Sequence, residues 1–117
     1  MKAVIEVAKR GSAIRAARQQ VKDSETGKPL NFRLLFESAK SLFSELTPAR
    51  LDLLDTLSKT GSCSIYALAK TAERNYSNVH TDVIRLEELG LIERTTEDTI
   101  FVPFDAVEIF MPLAKAA

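Results

Sequence analysis

The 117-residue sequence is poor in the residues that build covalent and metal-bound sites, with one cysteine, one histidine and no tryptophan. Because Cys63 is the single cysteine, the chain cannot form an internal disulfide. Cys63 and His80 together also provide too few ligands for a metal site. The simplest interpretation of Cys63 is a half-buried small apolar residue rather than a redox sensor. We therefore expect no bound metal and no cofactor.

Patterns typical of catalysis are also missing. Cys63 and His80 are 17 positions apart, and the four glycines are scattered instead of forming a phosphate-binding loop. Acidic pairs such as Asp52 with Asp55 are better interpreted as solvated helix faces than as a general acid and base. The sequence therefore predicts that the protein is not an enzyme.

No stretch approaches the roughly 20 apolar residues of a membrane-spanning helix. The opening residues, MKAVIEVAKRGS, alternate in polarity and lack the continuous apolar core of a signal peptide. We therefore expect a cytoplasmic protein without membrane contacts, and the length fits one domain.

The charge of the chain is balanced overall but divided along its length. Sixteen basic residues face 16 acidic ones, which is weak support for a nucleic-acid partner. Residues 1–50 contain ten basic and five acidic residues, whereas residues 51–117 contain six and eleven. The first half therefore carries +5 and the second −5.

The most informative segment is 64–94, SIYALAKTAERNYSNVHTDVIRLEELGLIER, which predicts two helices joined by a tight connection. Ser64 can cap the first helix, and the second can start at Ser77, whose hydroxyl can accept a hydrogen bond from a backbone N–H one turn later. Gly90 ends the second helix because glycine adopts the left-handed conformation without steric cost. Apolar residues recur three and four positions apart in both helices: Ile65, Leu68, Ala69 and Ala72, then Val79, Val83, Leu86 and Leu89.

This apolar stripe leaves a polar face on the second helix. Short polar side chains let a helix approach base edges in the major groove, where Asn pairs with adenine and Arg reaches guanine or phosphate. The alternative is that any amphipathic helix has a polar outer face. The side chains predicted to face the groove are Ser77, Asn78, His80, Thr81 and Arg85. The predicted DNA-binding set is completed by Ser64, Lys70, Arg74, Tyr76 and Arg94.

The next residues, LIERTTEDTIFVP, predict a β-hairpin formed by runs 91–94 and 99–102. Its tip, residues 95–98, is acidic, which does not favour contact with phosphates. Among the hairpin residues, only Arg94 and the threonines are suited to contact phosphates of the DNA backbone.

The flanking residues predict further elements. MKAVIEVAK predicts a strand with Ala3, Ile5 and Val7 on one face, followed by a basic amphipathic helix after Ser12 and a polar loop over 23–29. Residues 30–36 can form a strand or enter a helix, and we favour a strand. The alternation of Val107, Ile109 and Met111 predicts a last strand.

Two helices are predicted before Ser64. The first starts near Glu37, and Thr47 with Pro48 caps and begins the second, which ends at Gly61. The residues predicted to share an apolar face are Ala39, Leu42, Phe43 and Leu46 in the first helix, and Leu51, Leu54 and Leu57, with Leu53 beside them, in the second.

Together these elements predict an α+β fold, a winged helix-turn-helix with a three-helix core and a β-hairpin wing. Residues 1–45 form an N-terminal strand-helix extension and lead-in helix, suited to dimer or partner contacts. Residues 46–104 form the winged helix-turn-helix, and residues 105–117 a C-terminal strand or arm.

The span 46–94 resembles the short MarR-like winged helix-turn-helix transcriptional regulators of bacteria and archaea. The matching pieces are the Leu-Thr-Pro start, Ser64-Ile65 with Leu68-Ala69, Asn78-Val79-His80 with Asp82-Val83, and LEELGL over 86–91. The resemblance implies double-stranded DNA binding by the helix near Ser77, usually as a homodimer on a two-fold related operator. Small proteins of this kind are also often encoded beside a toxin-like partner, which they are thought to neutralise while repressing their own operon.

Two functions are therefore predicted. The first is a sequence-specific DNA-binding regulator, a dimeric repressor or autorepressor, because one helix reads few base pairs and two-fold pairing doubles the readout. The alternative is an antitoxin or other protein-interaction module that binds a small toxin-like partner, which the neutral charge and acidic hairpin tip favour.

Overall fold

The computed structural model describes residues 1–8 and 31–113. Over this part the protein has an α+β fold, which confirms the predicted class, and contains four helices and five short strands. The basic helix and polar loop predicted between Ser12 and residue 29 lie outside the described residues. In chain order the elements are β1 Lys2–Val7, β2 Phe32–Phe36, α1 Ala39–Glu45, α2 Pro48–Thr60, α3 Ile65–Ala72, α4 Tyr76–Glu88, β3 Glu93–Arg94, β4 Ile100–Phe101 and β5 Ala106–Phe110.

The chain divides into two compact units. Residues 1–45 and 104–117 belong to the first, and residues 46–103 to the second. In the described ranges, no helix has both the length and the apolar character needed to cross a membrane.

The first unit is built on a three-stranded parallel sheet in which β1 lies between β2 and β5. The alternation predicted for β1 is confirmed, since Ala3 and Ile5 are fully buried. On the opposite face, cross-strand ion pairs join Lys2 to Glu108 at 2.9 Å and Arg33 to Glu6 at 3.7 Å. The hydrogen bond to Glu108 raises the pKa of Lys2. The sheet therefore has one apolar face and one mixed face, on which these ion pairs lie beside Val4, Leu35 and Phe110.

Helix α1 begins after Ser38, whose Oγ accepts a hydrogen bond from the Ser41 N–H at 3.1 Å. Leu42 and Leu46 are buried as predicted, but Phe43 is 49% exposed, so its assignment to the buried face was wrong. Because adjacent helical residues differ by about 100°, Phe43 is rotated away from the line of Leu42.

Helix α2 opens the second unit with the predicted cap. Thr47 Oγ1 accepts from the Arg50 N–H at 3.2 Å, Pro48 is the first helical residue, and Gly61 follows the helix with φ 76°. The buried residues of the helix are Leu53, Leu54 and Leu57, whereas Leu51 is only partly buried. The buried face is therefore turned slightly from the predicted one.

The predicted hairpin is confirmed, with β3 antiparallel to β4. Its strands are shorter than predicted. Leu91 and Ile92 lie before β3, because their backbone N–H groups donate to the Leu86 carbonyl at the end of α4 rather than to a partner strand. The backbone of Cys63 exchanges hydrogen bonds of 3.2 and 2.8 Å with Ile100, and its side chain is partly buried, as predicted. The segment before α3 is thus fixed beside β4.

Candidate nucleic-acid interface

Helix α3 is capped and ended by local hydrogen bonds. Ser64 Oγ accepts from the Ala67 N–H at 3.1 Å, which confirms the predicted cap. At the other end, Glu73 adopts the left-handed conformation, with φ 54° and ψ 44°, and the Arg74 N–H donates to the Ala69 carbonyl at 3.0 Å. This is a Schellman ending with glutamate where glycine is usual. Only residues 73–75 separate α3 from α4.

Helix α4 starts earlier than the sequence indicated. Asn75 is its cap, with extended backbone angles and a side chain that accepts from the Asn78 N–H at 3.3 Å. The predicted cap at Ser77 was therefore wrong, because Asn75 is at least as good a cap and leaves Ser77 inside the first turn. Tyr76, Ser77 and Asn78 consequently lie at the amino end of the helix.

The carboxyl end of α4 is a second Schellman turn. Gly90 has φ 84°, and the Leu91 N–H donates to the Leu86 carbonyl at 2.9 Å. The predicted stop at Gly90 is confirmed. Val79, Val83 and Leu86 are buried, so the predicted apolar stripe packs α4 against the rest of the second unit, residues 46–103.

Four of the predicted groove-facing residues lie together on the first two turns of α4. All four are exposed, and we call them the α4 polar surface: Ser77, Asn78, His80 and Thr81. Thr81 Oγ1 donates to the Ser77 carbonyl at 3.1 Å, which leaves its lone pairs free to accept. Within the described residues the Asn78 amide has no side-chain partner, so it can both donate and accept toward a ligand.

An aromatic row, formed by Tyr66, Tyr76 and His80, shares His80 with this surface. The Tyr66 and Tyr76 ring centroids are 6.4 Å apart, and those of Tyr76 and His80 are 5.9 Å apart. Tyr66 is 68% exposed and Tyr76 48% exposed. Sequence reasoning missed Tyr66, although its place off the apolar face of α3 was a signal that it projects outward. Exposed tyrosines offer both a ring for packing and a hydroxyl for phosphate oxygens.

Arg74, predicted to contact the DNA backbone, forms part of an ion-pair cluster centred on Asp82. Arg74 Nη2 donates to Asp82 Oδ2 at 2.7 Å, and Arg50 Nε donates to Asp82 Oδ1 at 3.0 Å. All three side chains are less than a third exposed. We call this the Asp82 cluster; it joins α2, the turn after α3 and the middle of α4.

The other two predicted arginines are also paired with carboxylates. Arg85 donates to Glu88 at 2.9 Å on the surface of α4. Arg94 donates from Nε and Nη2 to both carboxylate oxygens of Glu87, and from Nη1 to Asp98 at 2.7 Å. The hydrogen bonds to Glu87 and Asp98 raise the pKa of Arg94. A phosphate would therefore compete with acids already bound to these guanidinium groups.

Lys70 is the remaining basic residue of the predicted set. It is exposed on α3 and has no ion-pair partner in the described ranges. The second unit, residues 46–103, holds six basic and nine acidic side chains, a net charge of −3. Any affinity of this unit for DNA must therefore come from placed polar groups rather than from its overall field.

Comparisons with known proteins give a family but no named relative. Neither the curated proteins nor the solved structures contain a match to this chain. The sequence model of the HVO_A0114 family matches residues 45–109, more than half of the 117-residue chain. The matched span includes α2, α3 and α4, the hairpin and most of β5. The chain therefore belongs to the HVO_A0114 family.

Proposed function

We propose that this protein is a sequence-specific DNA-binding transcriptional regulator of the short MarR-like winged helix-turn-helix type, acting as a dimeric repressor. Helices α2, α3 and α4 would form the three-helix core, and the β3–β4 hairpin the wing. The observation that carries the proposal is the α4 polar surface, which is exposed on the first two turns of a helix held by a buried stripe.

The chemistry of this surface suits the major groove. Serine, threonine and asparagine are short enough to let the helix backbone come close to base edges. Asn78 can pair bidentately with adenine, while Ser77 and Thr81 can bond to several bases. In winged helix-turn-helix docking the amino end of the second helix enters the groove, which is where these residues lie.

Groups around this surface would position the duplex. The hydroxyls of Tyr66 and Tyr76 and the ammonium of Lys70 can bond to phosphate oxygens. Because Arg74, Arg85 and Arg94 are held by carboxylates, we expect fewer ionic phosphate contacts than in a basic DNA-binding domain. Binding should therefore depend on salt less steeply than the roughly −10 slope of strongly ionic repressors.

Selection of bound duplexes from a random pool tests the proposal. The pool is incubated with the full chain at about 50 and about 200 mM salt, since nonspecific ionic binding weakens steeply over this range. We expect a two-fold related motif, with half-sites about 10 base pairs apart, to be enriched at both concentrations. Binding that is lost at the higher salt without any enriched sequence would contradict specific recognition.

A protein-interaction module, such as an antitoxin that binds a small toxin-like partner, is the second candidate. The net charge of −3 on residues 46–103 and the carboxylates beside Arg94 favour it, because both oppose phosphate binding. Affinity purification of the tagged full chain from its own cells, with nuclease treatment, tests it. A stoichiometric small protein that stays bound after nuclease treatment would support this function, and its absence from the purified sample would contradict it.

A further inference from the structure

The apolar face of the parallel sheet is buried at β1 but exposed at β5. In the β1–β5 register, Ala3 lies beside Val107 and Ile5 beside Ile109, so these four side chains share one face. Ala3 and Ile5 are fully buried, whereas Val107 and Ile109 are 37% and 42% exposed. The apolar face therefore ends at β5 with two uncovered β-branched side chains.

The outer edge of β5 also lacks the features that normally keep an edge strand unpaired. β1 occupies one side of β5, and in the described ranges no strand pairs with the other side. Lysines, prolines and bulges usually protect such edges. Between residues 106 and 111 the only charged side chain is Glu108, and Lys2 neutralises it at 2.9 Å. Within the part of the chain that the structure describes, the edge is thus apolar, electrically neutral and open to another strand.

We propose that β5 pairs antiparallel with β5 of a second copy of this chain, so that two three-stranded sheets form one six-stranded sheet. The proposal deepens the proposed function, on whose dimeric state it rests, by assigning the dimer interface. A two-fold axis perpendicular to the sheet makes the paired strands antiparallel and keeps both apolar faces on the same side.

The charge on Glu108 excludes one register of the paired strands, and the alternation of apolar residues favours another. If the axis passed through Glu108, two carboxylates would lie directly opposite each other, which is destabilising. An axis through Ile109 instead places Ile109 opposite its own copy, Val107 opposite Met111, and Glu108 opposite Phe110. Val107 and Ile109 share the apolar face, and Met111, directly after β5, continues their alternation, so this register joins apolar side chains across the axis. It also leaves Pro112, which has no N–H to donate, outside these pairs.

The oligomeric state of charge variants is the first test. We expect light scattering to give twice the 13.0 kDa chain mass for the unmodified protein. Ile109→Lys places two ammonium groups at the axis and should weaken dimerisation by at least about tenfold. The matched control is Leu35→Lys, which adds the same charge at a comparably exposed residue of β2 and should remain dimeric. Circular dichroism confirms that both variants fold.

Cysteine cross-linking then tests the register without depending on a charge. In a Cys63→Ala background, Ile109→Cys places one thiol opposite its copy and should form an intermolecular disulfide on mild oxidation. Val107→Cys should not do so, because the two copies of residue 107 are separated by several residues along the strands. Their Cα atoms then lie well beyond the about 7 Å that a disulfide can span.

These outcomes separate the interface from DNA binding. A dimer that dissociates in Ile109→Lys and cross-links through residue 109 supports the proposal, even if no duplex is bound and the proposed function fails. A monomer at all concentrations, a dimer unaffected by Ile109→Lys, or cross-linking through residue 107 would overturn it. The proposal would also be overturned if the chain were monomeric and bound a different small protein that Ile109→Lys displaces.

Discussion

Arg74, in the turn before α4, donates a 2.7 Å hydrogen bond to Asp82 in the middle of that helix. Arg50 of α2 binds the other carboxylate oxygen of Asp82 at 3.0 Å. One carboxylate thus connects the turn, α2 and α4, and so supports the helix on which the α4 polar surface lies. We infer that the Asp82 cluster serves the fold first and DNA contact only indirectly.

Asp82→Asn should destabilise the protein by about 1–3 kcal/mol, because it leaves two largely buried guanidinium groups without their shared anion. Urea unfolding followed by circular dichroism measures this change. The matched control is Asp55→Asn, which removes an exposed carboxylate paired with Lys59 and should cost less than about 0.5 kcal/mol. Equal losses in the two variants would contradict a structural role for the Asp82 cluster.

Glu73→Gly should stabilise the protein by about 0.5–1 kcal/mol. Glu73 has φ 54°, a left-handed conformation that costs a non-glycine residue about 1–2 kcal/mol. Glycine removes that cost but gains about 0.4–1 kcal/mol of unfolded-state entropy, which offsets part of the benefit. The midpoint of urea unfolding should therefore rise, and Glu73→Ala, which keeps the strain, should show no such rise.

Asn78→Ala should reduce affinity for the selected operator by about 1–3 kcal/mol if the Asn78 amide reads a base. Affinity for random duplex should not change, because a base contact adds nothing there. Fluorescence anisotropy with both duplexes measures the two affinities at one salt concentration. Ser58→Ala, an exposed substitution on α2, is the control that should leave both affinities unchanged. Equal losses on both duplexes would remove Asn78 from base readout.

Glu87→Gln with Asp98→Asn should increase affinity for any duplex. Both carboxylates bind Arg94, so their neutralisation frees its guanidinium for a phosphate. One added phosphate contact should also steepen the slope of log affinity against log salt by about 1. Asp52→Asn with Asp55→Asn makes the same charge change on α2 and controls for net charge. A slope equal to that of this control would show that Arg94 stays away from the DNA backbone.

Features fixed by a few neighbouring residues were predictable from the sequence. The caps at Thr47 and Ser64 and the stop at Gly90 depend on side chains and backbone within one turn, and all three are observed. The same holds for the buried stripe of α4, which follows from helical spacing alone. The start of α4 was misplaced because Asn75 and Ser77 are both good caps, and local chemistry did not separate them.

The ion pairs of the candidate site could not be predicted in this way. Arg50 and Asp82 are 32 positions apart, and Arg94 meets Glu87 only after the chain turns at Gly90. Such contacts depend on how helices pack, which a one-dimensional pattern does not specify. The sequence therefore identified basic residues near α4 but gave no sign that carboxylates hold three of them.

Tyr76→Phe distinguishes a backbone contact from base readout within the aromatic row. The substitution keeps the ring beside Tyr66 and His80 and, because Tyr76 is 48% exposed, should change the free energy of unfolding by less than about 0.5 kcal/mol. If the hydroxyl bonds to a phosphate, operator and random duplex should lose affinity equally, by about 1 kcal/mol. The ratio of the affinities for operator and random duplex would stay constant, whereas Asn78→Ala is expected to lower it. Loss on the operator alone would reassign Tyr76 to base contact, and no loss on either duplex would place its hydroxyl outside the interface.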